Sequence, residues 1–186
     1  MLKLAARLLV GLLSGVGVLS IATVIWLVSG GMSARRPPGA VETWVAVRMR
    51  SLAIPASDRQ MREPTPSSPV ALRSGMEQFA DRCAVCHGND GSGQADVGRG
   101  LYPRPPDMRS DVTQSMTDGE IFHIINDGVR FTGMPAWNQG ASDTWALVRF
   151  IRHLPQLTKT ELELMRGLNP RGGRESAQRA GGRRSR

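Results

Sequence analysis

The stretch Cys83-Ala84-Val85-Cys86-His87 holds both cysteines of this 186-residue chain and constrains its fold more than any other feature. Two thiols three residues apart lie about one helical turn from each other, on one face if the stretch is helical. The imidazole of His87 follows at once. Three familiar uses of such thiols fit poorly. A thioredoxin-like redox pair belongs beside a βαβ pattern, and no strand pattern in the chain is convincing. A structural zinc site needs four nitrogen or sulfur ligands, and only His87, His123 and His153 are available to join the two thiolates. A disulfide across so short a loop leaves His87 without a task.

The N-terminal region sets the compartment. No charged residue occurs from Leu8 to Ala34, and the run LLVGLLSGVGVLSIATVIWLV within it is long enough, as a helix, to span about 30 Å of bilayer core. Lys3 and Arg7 precede it, as in the basic front of an export signal. A cleavable signal has a shorter apolar stretch, of roughly 7–15 residues, so the run reads as a retained anchor even though GGMSA resembles a cleavage site. A buried core helix is the remaining alternative. The formal charge of +8 comes from the appendages, since residues 75–160 carry eight basic and ten acidic side chains. A nucleic-acid-binding domain would show a basic folded face, and that class is excluded.

The rest of the chain divides by composition. Residues 1–34 form the anchor segment and 35–69 a juxtamembrane stretch. Val41, Trp44, Val45, Arg48, Met49 and Leu52 there have roughly helical spacing, suiting a short amphipathic helix that lies on lipid or packs against the folded part. Pro55–Pro69, with four prolines, reads as a partly extended linker. Residues 70–166 form one compact domain, and 167–186 a basic Gly/Arg-rich tail expected to be disordered. Within the domain, helices are expected in SGMEQFADRCAVCH, in TDGEIFHIINDG with a Thr117/Glu120 capping box and a Gly128 stop, and in SDTWALVRFIRHL with Ser142 as N-cap. TKTELELMRG should form a last helix ending at Gly167. GNDGSGQADVGRGLYPRPPDM, rich in glycine and proline, is expected to lack regular structure. The domain reads as all-α.

A loop-rich helical domain with few aromatics lacks the apolar mass to hold itself together well. C-x-x-C-H is the attachment signature of a c-type haem. Two thiols a turn apart can form thioethers to the two vinyl groups of one porphyrin, with the adjoining imidazole as an axial ligand of the iron. The haem would also supply the missing core.

On these residues the domain resembles a class I cytochrome c, with closest likeness to small single-haem cytochromes tethered to bacterial membranes. Gly75 and Phe79 match the family's first helix, and Phe150, with Trp145 nearby, its last. GRGLYPRPPDM resembles the loop whose proline carbonyl orients the proximal histidine, and DGVRFTGMPAW the loop that brings in a distal methionine. His123 departs from the pattern, because an aromatic is common there. The resemblance covers about residues 74–166. It implies three to five helices wrapped around one covalently bound haem c, held by Cys83 and Cys86, with the iron ligated by His87 and Met134. Gly133 and Pro135 flank Met134, giving the loop a close and directed approach. Met108, Met116, His123, His153 or an open position are the alternatives for the sixth ligand. Arg104 and Arg130 flank the two haem loops and could meet the haem carboxylates, or be ordinary surface arginines.

A His/Met-ligated iron suits outer-sphere electron transfer, because both axial positions are filled in both oxidation states. No nucleophile–base pair or paired carboxylates suggest separate catalysis. The expected function is therefore a membrane-tethered electron carrier without its own enzymatic activity, its partners the membrane and redox proteins. Two alternatives stand beside it: a haem-bearing relay subunit of a larger membrane oxidoreductase, and a haem sensor or enzyme with a labile distal methionine. The expected location is the bacterial cytoplasmic membrane, single-pass, with the haem domain in the periplasm, where covalent haem attachment occurs. Charge alone argues the other way, since Arg35, Arg36, Arg48 and Arg50 outnumber Lys3 and Arg7 across the anchor.

Overall fold

The computed structural model of the chain describes residues 2–29, 33–64 and 68–169, and every regular element among them is helical. The chain forms two units, which meet in sequence between Ser33 and Ala34. The first is a single helix, α1 (Leu2–Ser29), whose 28 residues reach about 42 Å at the usual rise. From Leu4 on, its leucines, valines and isoleucines are exposed. Its length and composition suit a bilayer span and membrane anchoring.

The second unit contains α2 (Ala40–Ala53), α3 (Ala56–Arg59), α4 (Pro69–Gln78) and a π-helical turn, Phe79–Cys83. Then come α5 (Ala84–His87), α6 (Asp96–Arg99), α7 (Asp111–Gln114) and α8 (Asp118–Asp127). The series ends with α9 (Ala141–His153), a 3₁₀ turn at Leu154–Gln156, and α10 (Lys159–Leu168). Helix α4 starts where Pro69 occupies the first turn and the Ser68 hydroxyl accepts from the Ala71 amide. Its Gly75 faces Ala146 and Phe150 of α9 with no room for a side chain. One helical turn further on, Phe79 meets Phe150 at 5.2 Å between ring centroids, and both are fully buried. Truncating either ring to alanine would cost about 3–5 kcal/mol. Trp145 packs on Phe122 of α8 instead, at 4.6 Å, so it is not a partner of the Phe79 ring.

Helix α8 has the expected capping box, with the Glu120 amide donating to Thr117 and the Thr117 amide to Glu120. It stops at Gly128, whose φ of 70° favours glycine. Arg152 of α9 pairs with Asp118 at 2.7 Å and donates to the carbonyls of Gln114 and Met116, stapling the 114–118 segment in place.

Four local expectations are corrected. Helix α9 starts at Ala141 after Gly140, so Ser142 lies inside the first turn; the Thr144 hydroxyl donates back to the Gly140 carbonyl at 3.0 Å. The Gly/Pro-rich loop contains a helical turn, α6, because Gly98 lets it press against the Cys86 carbonyl. Helix α10 continues past Gly167 to Leu168. The largest difference is the linker expected over 55–69. Its first part is packed: Ile54 is buried, Asp58 lies against Gly119 of α8, Met61 packs on the core and Glu63 pairs with Arg149. The docking surface is a glycine gap on α8 plus single polar partners, which composition does not reveal. The tail expected to be disordered lies outside the described residues from position 170 on.

Candidate functional site

The π-helical turn ends at Cys83, and α5 presents the rest of the C-x-x-C-H motif. Such wide turns inside helices recur at functional sites. Cys83, Cys86 and His87 all line one cleft of about 1200 Å³, counting the part open to solvent. Met134 lines the same cleft, as do Met108 and Met116. His123 and His153 do not. His123 Nδ1 meets Asp58 at 2.7 Å and Asp127 at 3.3 Å, and His153 Nε2 meets Glu161 at 2.8 Å. The departure at His123 is thus explained: the residue faces the docked 54–63 segment and leaves the cleft to its neighbours.

Burial sets the chemistry of the motif. It pushes the Cys83 thiol up to about 12 and raises that of Cys86, so both are neutral thiols unless bonded to something. It also pushes His87 down to about 4, which keeps the imidazole in the neutral form that ligates a metal. The Pro106 carbonyl opposes that shift, and the buried Nδ1 of His87 makes no hydrogen bond. The surrounding backbone is tightly tied: the Gly93 amide donates to the His87 carbonyl at 2.7 Å, and Met108 to Gly91 at 2.9 Å.

Met134 is fixed by its own loop. Its amide donates to the Thr132 hydroxyl at 3.1 Å, that hydroxyl donates to the Val129 carbonyl at 2.7 Å, and the Val129 amide donates to the Met134 carbonyl at 3.1 Å. Gly133 touches Leu101, so this loop meets the proline-bearing loop at the cleft. Met108 is held differently: Gln114 clamps its carbonyl and that of Ile151.

The remaining lining is apolar, with Ile121, Ile124 and Ile125 from α8 and Val129 and Trp137 beyond it. Sequence reading treated α8 only as a helix; the i, i+3, i+4 spacing of its isoleucines was the available signal. Arg104 lines the cleft, whereas Arg130 is exposed and outside it. Arg50 and Arg82 line it too; the sequence offers Arg50 only as a juxtamembrane charge and gives no signal for Arg82.

The comparisons agree with this geometry. Residues 70–151 match the family described as cytochrome c oxidase, cbb3-type, subunit III. Over this stretch the chain is similar to c-type cytochromes. Over 81 residues the chain is 36% identical to "Cbb3-type cytochrome c oxidase subunit FixPc" of Rhizobium leguminosarum bv. viciae, covering 43% of this chain and 26% of that protein. Over 93 residues it is 32% identical to "Thiosulfate dehydrogenase" of Stutzerimonas stutzeri (strain A1501), covering 47% and 29%. The chain therefore spans less than a third of these relatives. That similarity implies a covalently bound haem c with its iron. The cleft fits that group: two free thiols a turn apart, a buried imidazole with an orphaned nitrogen, thioether sulfurs and an apolar lining share one cavity.

Proposed function

We propose that this protein is a membrane-tethered electron-transfer protein of the periplasm. Cys83 and Cys86 would hold the haem through two thioethers, and His87 and Met134 would ligate its iron. When bound, the haem would supply one-electron redox chemistry, and His/Met ligation would raise its reduction potential and leave no open site for substrate. The chain's own residues do the rest. His87 remains a neutral donor because it is buried, and the Pro106 carbonyl biases its ring orientation. The 129–137 loop fixes Met134, and the α8 isoleucines keep water from the ring. The observation that carries the reading is that C-x-x-C-H and Met134, 47 residues beyond His87 in sequence, line one cleft.

The division of labour along the chain follows. Residues 1–34 anchor, 35–69 join the anchor to the domain while packing in part against it, 70–166 carry the haem motif and 167–186 form a basic tail. Tethering raises the effective concentration of the carrier near membrane redox complexes. The haem domain lies outside the cytoplasm, where the thiols meet the attachment machinery. A phosphatase reporter fused after Ser68, active only when exported, tests this: an inactive fusion in a well-expressed protein would overturn it.

A second reading is a relay subunit within a larger oxidoreductase, favoured by the match to cbb3-type oxidase subunit III and by the named role of the Rhizobium protein. Stable co-purification of oxidase subunits with the tagged full chain would favour that reading over the free carrier. Absorption spectra of the purified full chain in both redox states test what the two share. A c-type haem spectrum that persists after denaturation is expected. Its absence would refute the assignment.

A further inference from the structure

We infer that the juxtamembrane helix α2 is part of the haem pocket, with Arg50 binding a haem carboxylate. The inference rests on the haem assignment above. Helix α2 precedes the residues that match the cytochrome family, yet Arg50 lines the same cleft as Cys83 and His87. Its Nε is buried and has no hydrogen-bond partner, and no carboxylate among the described residues pairs with it. Elsewhere in the same unit Arg109, Arg149 and Arg152 each meet a carboxylate. A partly buried guanidinium without an anion is costly, so a missing anionic partner is the economical explanation.

The cleft supplies the charge logic. Its lining includes Arg50, Arg82 and Arg104 and no acidic residue. Arg82 already has Asp81 at 3.4 Å, and Arg104 donates to the Arg35 carbonyl at 3.4 Å. Arg50 is left to meet the incoming ligand. Haem carries two carboxylates on otherwise apolar edges, and guanidinium matches carboxylate as a two-pronged donor.

Helix α2 is held in the pose that this requires. The Tyr102 hydroxyl donates to Glu42, joining the start of α2 to the proline-bearing loop of the cleft. Ile54, just past its end, is buried, and Arg59 donates to the carbonyls of Ser51 and Ile54. At 100° per residue, Glu42 and Arg50 lie within about 80° of each other on one face. Val41 and Trp44 lie at least 100° from both and are 74% and 64% exposed. The helix therefore has one face for the cleft. A cation held there disfavours the extra positive charge of oxidised iron, so Arg50 raises the potential.

The test uses the full-length, haem-loaded protein and two readouts, the midpoint potential and amide hydrogen exchange over residues 40–54. Arg50→Gln is expected to shift the redox equilibrium toward the oxidised form by up to about tenfold, equivalent to about 59 mV for one electron. It is also expected to speed exchange in α2 severalfold. Arg50→Lys, which keeps the charge without the fork, should recover most of the potential and little of the protection. Arg48→Gln, on the exposed face, should change neither. If Arg50→Gln leaves both readouts at the wild-type values, or if Arg48→Gln shifts the potential as much, the inference is overturned. Wild-type protein without covalent haem would overturn the haem assignment itself, so the two failures are separable.

Discussion

A Cβ on Gly75 would come within 2.0 Å of the Ala146 carbonyl oxygen, which belongs to the backbone of α9 and cannot swing aside. The crossing of α4 and α9 depends on that bare position. Gly75→Ala is expected to push the helices apart, loosen the Phe79–Phe150 contact and cost about 1–3 kcal/mol or more. Thermal unfolding of the haem-loaded protein measures this. An unchanged midpoint would mean that the crossing can relax at no cost.

The two thiols are predicted to be separately necessary for normal attachment. Cys83→Ala or Cys86→Ala should leave at most one thioether, and the double variant no covalent haem. Haem staining on a denaturing gel reads the result directly. Full staining of the double variant would refute the assignment.

Three methionines share the cleft, and the choice among them is testable by substitution. Met134→Ala should remove the weak red-edge charge-transfer band of Fe(III)–Met ligation and lower the potential. Met108→Ala should preserve the band, because its role here is packing. The reverse outcome would move the ligand to Met108.

Acid should release the docked segment before it unfolds the helices. The hydrogen bond from His123 holds the Asp58 carboxyl below its ordinary value of 3.8. A carboxylate with a depressed folded-state pKa stabilises the fold fully above its ordinary value, and loses that contribution as pH falls through the depressed one. His123 also faces Asp127, and Arg59 next to Asp58 pairs with Glu120, so those charges bear on the same docking. Hydrogen exchange over 54–63 should therefore rise below about pH 4. In Asp58→Asn it should already be raised at neutral pH, with a shallower acid dependence. A steep acid response retained in that variant would assign the effect to another carboxylate.

Much of this was legible in linear order because the chemistry is local. The haem motif depends on spacing within one turn, the α8 cap on Thr117 and Glu120 three residues apart, and the anchor on an unbroken apolar run. What only the tertiary structure decided is every relation between distant segments. The Pro105–Pro106 stretch is placed against the motif because Met108 bonds to Gly91 and the bare Gly93 leaves room for both proline carbonyls. His123 turns away from the cleft because Asp58, 65 positions earlier, offers it a charge partner. The Pro-rich stretch docks because a missing side chain at Gly119 makes room for its backbone, and Arg50 enters the cleft because Glu42 and Ile54 pin its helix at both ends. A gap or an unpaired charge has no sequence signature of its own: it exists only once two remote segments have been brought together.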